Sequence, residues 1–146
     1  KHIPVLAVQK GNPLGIAGLN DLAKDGVEVV LGDADATPIG KLANKALSDA
    51  GILDKVDVIA RTATAPELTN ALSLGECDAI IVWKENAGGD KIETVGTTDL
   101  DKYIKVIPAA SLTFNTDPDT RDAFLKFLDS DEAKSIWTNY GYEILN

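Results

Sequence analysis

Two segments of this chain share one plan: an apolar, β-rich run breaks into a short loop and then reopens as a helix with a built start. In the first, Val30-Leu31-Gly32-Asp33 leads to Thr37-Pro38; in the second, Val58-Ile59-Ala60-Arg61 leads to Thr64-Ala65-Pro66-Glu67. Threonine caps a helix, proline suits its first turn, and Glu67, three residues after Thr64, completes a capping box. Repeated strand–loop–helix units of this kind specify an α/β sheet whose strands are mostly parallel.

The rest of the chain extends the pattern. Strands are expected at Ile3 to Gln9, Val27 to Leu31, Val56 to Ala60, Ala79 to Trp83 and Tyr103 to Ile107, with Ser111 to Phe114 as a further candidate. They read as continuous apolar stretches, as for strands buried on both faces. In the first helix Ile39, Leu42, Ala43, Ala46, Leu47 and Ala50 fall on one face, and Gly51 supplies a left-handed C-cap. The second buries Leu68, Ala71 and Leu72 and ends at Gly75. Asp117-Pro118 opens a helix expected to bury Ala123, Phe124, Phe127 and Leu128. A last helix after Ser130 is expected to bury Ala133, Ile136, Trp137 and Tyr140.

Composition removes several functions. A length of 146 residues with 45% hydrophobic and 25% charged side chains is that of one ordinary globular domain. A net charge of −9 without a cluster of Lys or Arg argues against nucleic acid and anionic membranes. No apolar run approaches the ~20 residues that span a bilayer. The single cysteine, Cys77, sits in an apolar strand and reads as a core residue. His2 is the only histidine, no serine sits in a Gly-x-Ser-x-Gly elbow, and no phosphate-cradling glycine loop occurs, so no catalytic residue, metal ligand or cofactor is expected. Gly32-Asp33-Ala34-Asp35 lacks the further ligands of a calcium loop and reads as a solvated turn.

What remains is architectural. In a parallel sheet both built helix starts lie at the carboxyl edge of the strands, where ligands bind in such folds. Helix N-termini carry unpaired N–H groups and partial positive charge, so they hold anions without a cationic side chain. That would reconcile anion binding with an acidic chain, and it places Thr37 and Thr64 in the candidate ligand-binding set.

Longer segments carry a resemblance. Ile3-Pro4-Val5-Leu6-Ala7-Val8-Gln9-Lys10-Gly11-Asn12-Pro13 with Leu19-Asn20-Asp21-Leu22-Ala23, then Leu31 to Gly40, Ala79 to Trp83, and Ala123 through Tyr142, resemble in order and spacing the second lobe of the periplasmic molybdate-binding proteins of ABC importers. The resemblance implies a three-layer lobe of a type II periplasmic-binding-protein fold with a mostly parallel mixed sheet. It implies residues 1–12 as a crossover strand, 13–107 as the lobe, and 108–146 as the return crossover and C-terminal helices. The family's first lobe is absent from the sequence, so self-association through uncovered apolar surface is expected of this single lobe. By position, the N–H groups of Ile39 and Leu68 would be anion donors, and Trp83 stands where the family has a tyrosine hydroxyl. The implied ligand is a tetrahedral oxyanion, molybdate or tungstate, the partner an ABC transporter permease, and the location extracytoplasmic (periplasm or cell surface). An alternative is the ligand-sensing effector lobe of a transcription regulator, although no helix-turn-helix segment is present; an enzyme lobe of related architecture is the weakest reading.

Overall fold

The computed structural model describes residues 1–145, and these fall into two compact units. The larger, Ile3–Ile104, holds the sheet. Its strands are β1 (Pro4–Gln9), β2 (Glu28–Gly32), β3 (Asp57–Thr62), β4 (Ala79–Trp83) and β5 (Ile92–Thr94), in the spatial order β3-β2-β4-β1-β5. β2 runs parallel to both β3 and β4, while β1 is antiparallel to β4 and to β5. Helices α1 (Pro38–Asp49) and α2 (Ala65–Leu74) connect β2 to β3 and β3 to β4. These two crossovers step in opposite directions across the sheet, so right-handed connections put α1 and α2 on opposite faces. The result is a three-layer α/β unit.

The helices form where local chemistry says they should. Thr37 caps α1, its hydroxyl accepting from the Gly40 N–H at 3.0 Å. At α2 the Glu67 carboxylate reaches back to the N–H groups of Ala63 and Thr64, at 2.9 and 3.2 Å. Gly75 ends α2 at φ 75°, a conformation that only glycine adopts without strain. The apolar stripes Ile39, Leu42, Ala43, Ala46, Leu47 of α1 and Leu68, Ala71, Leu72 of α2 are buried in one cluster with β2 and β4. Each such Leu or Ile contributes about 1.5–3 kcal/mol of apolar burial. Ala50, expected on the α1 stripe, is instead exposed as the residue that closes the helix.

The strands divide by position in the sheet. All five residues of β4 are buried, and so are four of the five in β2. β3 is not covered on both faces as the sequence suggested: it is the sheet's edge, and none of its residues is buried. Tyr103 to Ile107 does not form a strand either. Asp101–Tyr103 is a 3₁₀ turn, and only Lys105 bridges, to His2. The edge of β1 is taken by β5. Ser111 to Phe114 is likewise without a strand partner, and Leu112 and Phe114 are exposed.

The smaller unit comprises Lys1–His2 and the chain from Lys105 onward. It holds α3 (Pro118–Leu128) and α4 (Asp131–Asn139), capped by Asp117 and Ser130. The apolar faces expected to be buried here are mostly not. Phe124, Phe127, Ile136, Trp137 and Tyr140 are all exposed; Ala123 is exposed and Leu128 half-buried; only Ala133 is buried. Two short helices can bury only the face they share, and no sheet of this unit lies among the described residues to cover the others. What they form is an apolar groove of about 500 Å³ between α3, α4 and the segments Val106–Ala109 and Tyr142–Leu145.

Cys77 is buried just before β4, and desolvation pushes its thiol up to about 11. Because the thiolate is the reactive form, native protein at pH 8 should react with an aromatic disulfide reagent at least about 100-fold more slowly than urea-unfolded protein. Comparable rates in a stopped-flow assay would contradict this burial.

Candidate functional site

Three neighbouring parallel strands, β3, β2 and β4, end at one edge of the sheet, and each of their carboxyl ends delivers a candidate group. β2 leads through Asp33 to Thr37 and Ile39, β3 leads to Thr64 and Leu68, and β4 ends at Trp83 itself. The opposite direction of β1 brings its first residue, Pro4, alongside Trp83 at the same edge.

The β2–α1 junction is the tightest part of this edge. A methyl group on Gly40 would lie 2.3 Å from the carbonyl oxygens of both Gly32 and Asp33. One on Gly32 would lie 2.6 Å from the Thr37 hydroxyl. The Gly-Asp…Pro-x-Gly pattern is therefore a packing requirement, since the first turn of α1 rests directly on the strand end. The loop is held as closely. The Asp33 N–H donates to the Thr62 carbonyl at 2.8 Å, and the Asp33 carboxylate accepts from the N–H groups of Ala36 and Asp35 at 2.8 and 2.9 Å. Those two bonds, with the charge of Arg61, hold the Asp33 carboxyl below its ordinary range.

The fate of each candidate donor differs. Thr37 is buried, and its hydroxyl donates to the Asp33 carbonyl at 2.7 Å while accepting from Gly40, so its one proton is already engaged within the loop. Thr64 is exposed, and its carbonyl accepts from the Thr62 hydroxyl at 3.0 Å. Ile39 is the second residue of α1, where an amide has no carbonyl one turn before it, and no partner for its N–H occurs among the described hydrogen bonds. Leu68 lies further along its helix than Ile39 does: it is the fourth residue of α2, the position whose N–H faces the capping carbonyl of Thr64. Ile39 is buried, so its N–H is held in a protein environment where an acceptor would be worth most.

Trp83 is 6% exposed at the end of β4, and the turn after it is tied to α2 by the Thr69 hydroxyl, which donates to the Asn86 carbonyl at 2.7 Å. Arg61, near the end of β3, is exposed, and its guanidinium makes two directed bonds at this edge. It donates to the Gly32 carbonyl and to the Asn44 side-chain oxygen, both at 3.0 Å. No sequence motif signals that role, because it depends on the β2–β3 register that sets Arg61 beside Leu31. Among the described residues no group of three His, Cys, Asp or Glu side chains is placed to hold a metal ion, and no helix is long and apolar enough to cross a membrane.

The family described as bacterial extracellular solute-binding protein matches residues 1–143 of the chain. The molybdate-binding protein ModA of Haemophilus influenzae is 32% identical over 117 residues, covering 77% of this chain and 45% of that protein. A Bacillus subtilis protein named as an ABC transporter substrate-binding lipoprotein is 25% identical over 142 residues, covering 94% of this chain and 54% of its own length. The chain thus spans about half the length of the curated relatives it matches. Among solved structures, a substrate-binding domain named for a molybdenum ABC transporter of Clostridium difficile superposes with a TM-score of 0.71 at 23% identity, over 100% of this chain and 65% of that one.

Proposed function

The chain belongs to the family of bacterial extracellular solute-binding proteins, and from that premise we propose that it is one lobe of a receptor that captures a tetrahedral oxyanion, molybdate or tungstate, for an ABC importer. The observation that carries the reading is the buried Ile39 amide at the start of α1, which makes no hydrogen bond among the described residues, beside a second built helix start, that of α2, at the adjacent strand end. Amide donors at helix starts offer fixed partial positive charge, and an oxyanion stripped of water replaces its hydration with such donors at little reorganisation cost. This is how a chain of net charge −9 can hold an anion. The 32% identity to a molybdate-binding protein supports molybdate or tungstate within the anion class. Members of the family bind solutes, which fits a site built of backbone donors rather than of nucleophiles and bases. The proposed setting is the periplasm or cell surface, with an ABC transporter permease as the protein partner.

Donors from one edge leave part of an oxyanion solvated, so a second set from another lobe is needed for tight binding. Equilibrium dialysis of concentrated protein against molybdate, tungstate, sulfate and phosphate tests the reading. Weak, saturable retention of molybdate or tungstate above sulfate and phosphate is expected of this one lobe, and retention of all four to the same extent contradicts it. The exposed apolar faces of α3 and α4 lead to a separate expectation, concentration-dependent self-association of the chain. A strictly monomeric species by light scattering up to millimolar concentration would refute it.

A further inference from the structure

The geometry points to Arg61 as a positioning residue of the oxyanion site, a two-point tether that fixes the start of α1 against the end of β2. The inference rests on the oxyanion reading and names the residue that holds its donor amide at the α1 start in place. Arg61 lies on the edge strand β3, one residue before its end, in register with Leu31. Its guanidinium spans two elements: one nitrogen donates to the Gly32 carbonyl at the end of β2, the other to the Asn44 side-chain oxygen on the second turn of α1, each at 3.0 Å. The Gly32 carbonyl is one of the two oxygens against which Gly40 packs, so the bond from Arg61 falls on the contact that seats the first turn of α1. Ile39 is the residue before Gly40, and the direction of its N–H follows from that seat.

The tether also offsets an unfavourable field. An anion at the α1 start shares this edge with the Gly32 carbonyl and the Asp33 carboxylate, both of which would repel it. The Arg61 charge acts on Asp33, and its hydrogen bond occupies the carbonyl. A lysine could keep the charge but reaches only one acceptor, because the two-acceptor span needs the planar fork. Lys41, exposed in the first turn of α1, supplies a nearby charge without a tether and serves as the control.

The test is a double-mutant cycle read by the molybdate dissociation constant, followed through the amide resonances of the chain. Arg61→Met should weaken binding about ten-fold, the scale seen when groups that orient a ligand's direct donors are removed. Asn44→Leu, remote from the anion, should weaken it by a smaller factor, and the double variant should be no weaker than Arg61→Met alone, because both remove one tether. Arg61→Lys should fall between wild type and Arg61→Met, and Lys41→Met should stay within two-fold of wild type. Arg61→Met binding within two-fold of wild type, or losses that add in the double variant, would overturn the tether and leave the oxyanion reading standing. Wild-type protein that shows no response to molybdate would instead overturn the oxyanion reading. The ligand-free arm is hydrogen exchange at the Gly40 amide, bonded to Thr37. Faster exchange in Arg61→Met is expected, and unchanged protection overturns the tether whether or not an anion binds.

Discussion

Gly40→Ala should destabilise the larger unit by at least about 3 kcal/mol and abolish anion binding, the first through overpacking and the second through displacement of the α1 start. The new methyl would sit 2.3 Å from two carbonyl oxygens, and both belong to the backbone of Gly32 and Asp33, which cannot swing aside as a side chain would. Either α1 moves away from the end of β2 or the Asp33–Thr37 loop opens. In both cases the bond from Gly40 to the Thr37 hydroxyl and the orientation of the Ile39 N–H are lost together. Urea denaturation monitored by far-UV circular dichroism measures the first effect. A variant as stable as wild type would mean that the β2–α1 junction is looser than described. Gly51→Ala, where no heavy atom lies within 4 Å of the added carbon but φ is +69°, provides the comparison: backbone strain alone, at about 1 kcal/mol.

Trp83→Ala should cost about 3–5 kcal/mol, as for other large buried side chains cut back to a methyl. Trp83 is 6% exposed, packs in the same core cluster as Ile80, Ile81 and Val82, and pairs with Pro4 across the β1–β4 ladder. Its loss leaves a void at the carboxyl edge, where the proposed anion site lies, so any residual binding should weaken as well. Trp83→Tyr separates the two contributions. It restores an aromatic ring with a hydroxyl in place of an indole N–H, so most of the stability should return while oxyanion preference shifts. If Trp83→Ala unfolds with the wild-type denaturation midpoint, the ring is not a core element.

The parts of the molecule legible in its sequence are those fixed by neighbouring residues. Thr37-Pro38 and Thr64-Ala65-Pro66-Glu67 set two helix starts because a cap is satisfied within one turn, and the stripes of α1 and α2 follow from 3.6-residue spacing. β2 and β4 are recognisable because strands covered on both faces are apolar throughout. The misreadings concern what lies on the far side of an element. Val58, Ile59 and Ala60 look like core, yet β3 is an edge strand. Phe124, Ile136 and Trp137 carry the spacing of a buried face, yet the groove that Phe124 and Trp137 help line covers those two only in part, and all three stay exposed. β5 escapes notice because it has three residues, of which only Ile92 is buried. At the site, a sequence shows which residues begin a helix but not which of their donors are already spent. The engaged hydroxyl of Thr37 and the forked bonds of Arg61 emerge only from the register of β2 and β3 and the close seat of α1.

The most direct test of the oxyanion site is a titration of ¹⁵N-labelled protein with sodium molybdate at constant ionic strength, read residue by residue. Saturable shifts concentrated at the Ile39 and Leu68 amides, with sulfate and phosphate producing weaker changes at the same positions, are the expected result. Shifts that are absent at both amides, or that spread evenly over the surface in proportion to anion concentration, would contradict the site.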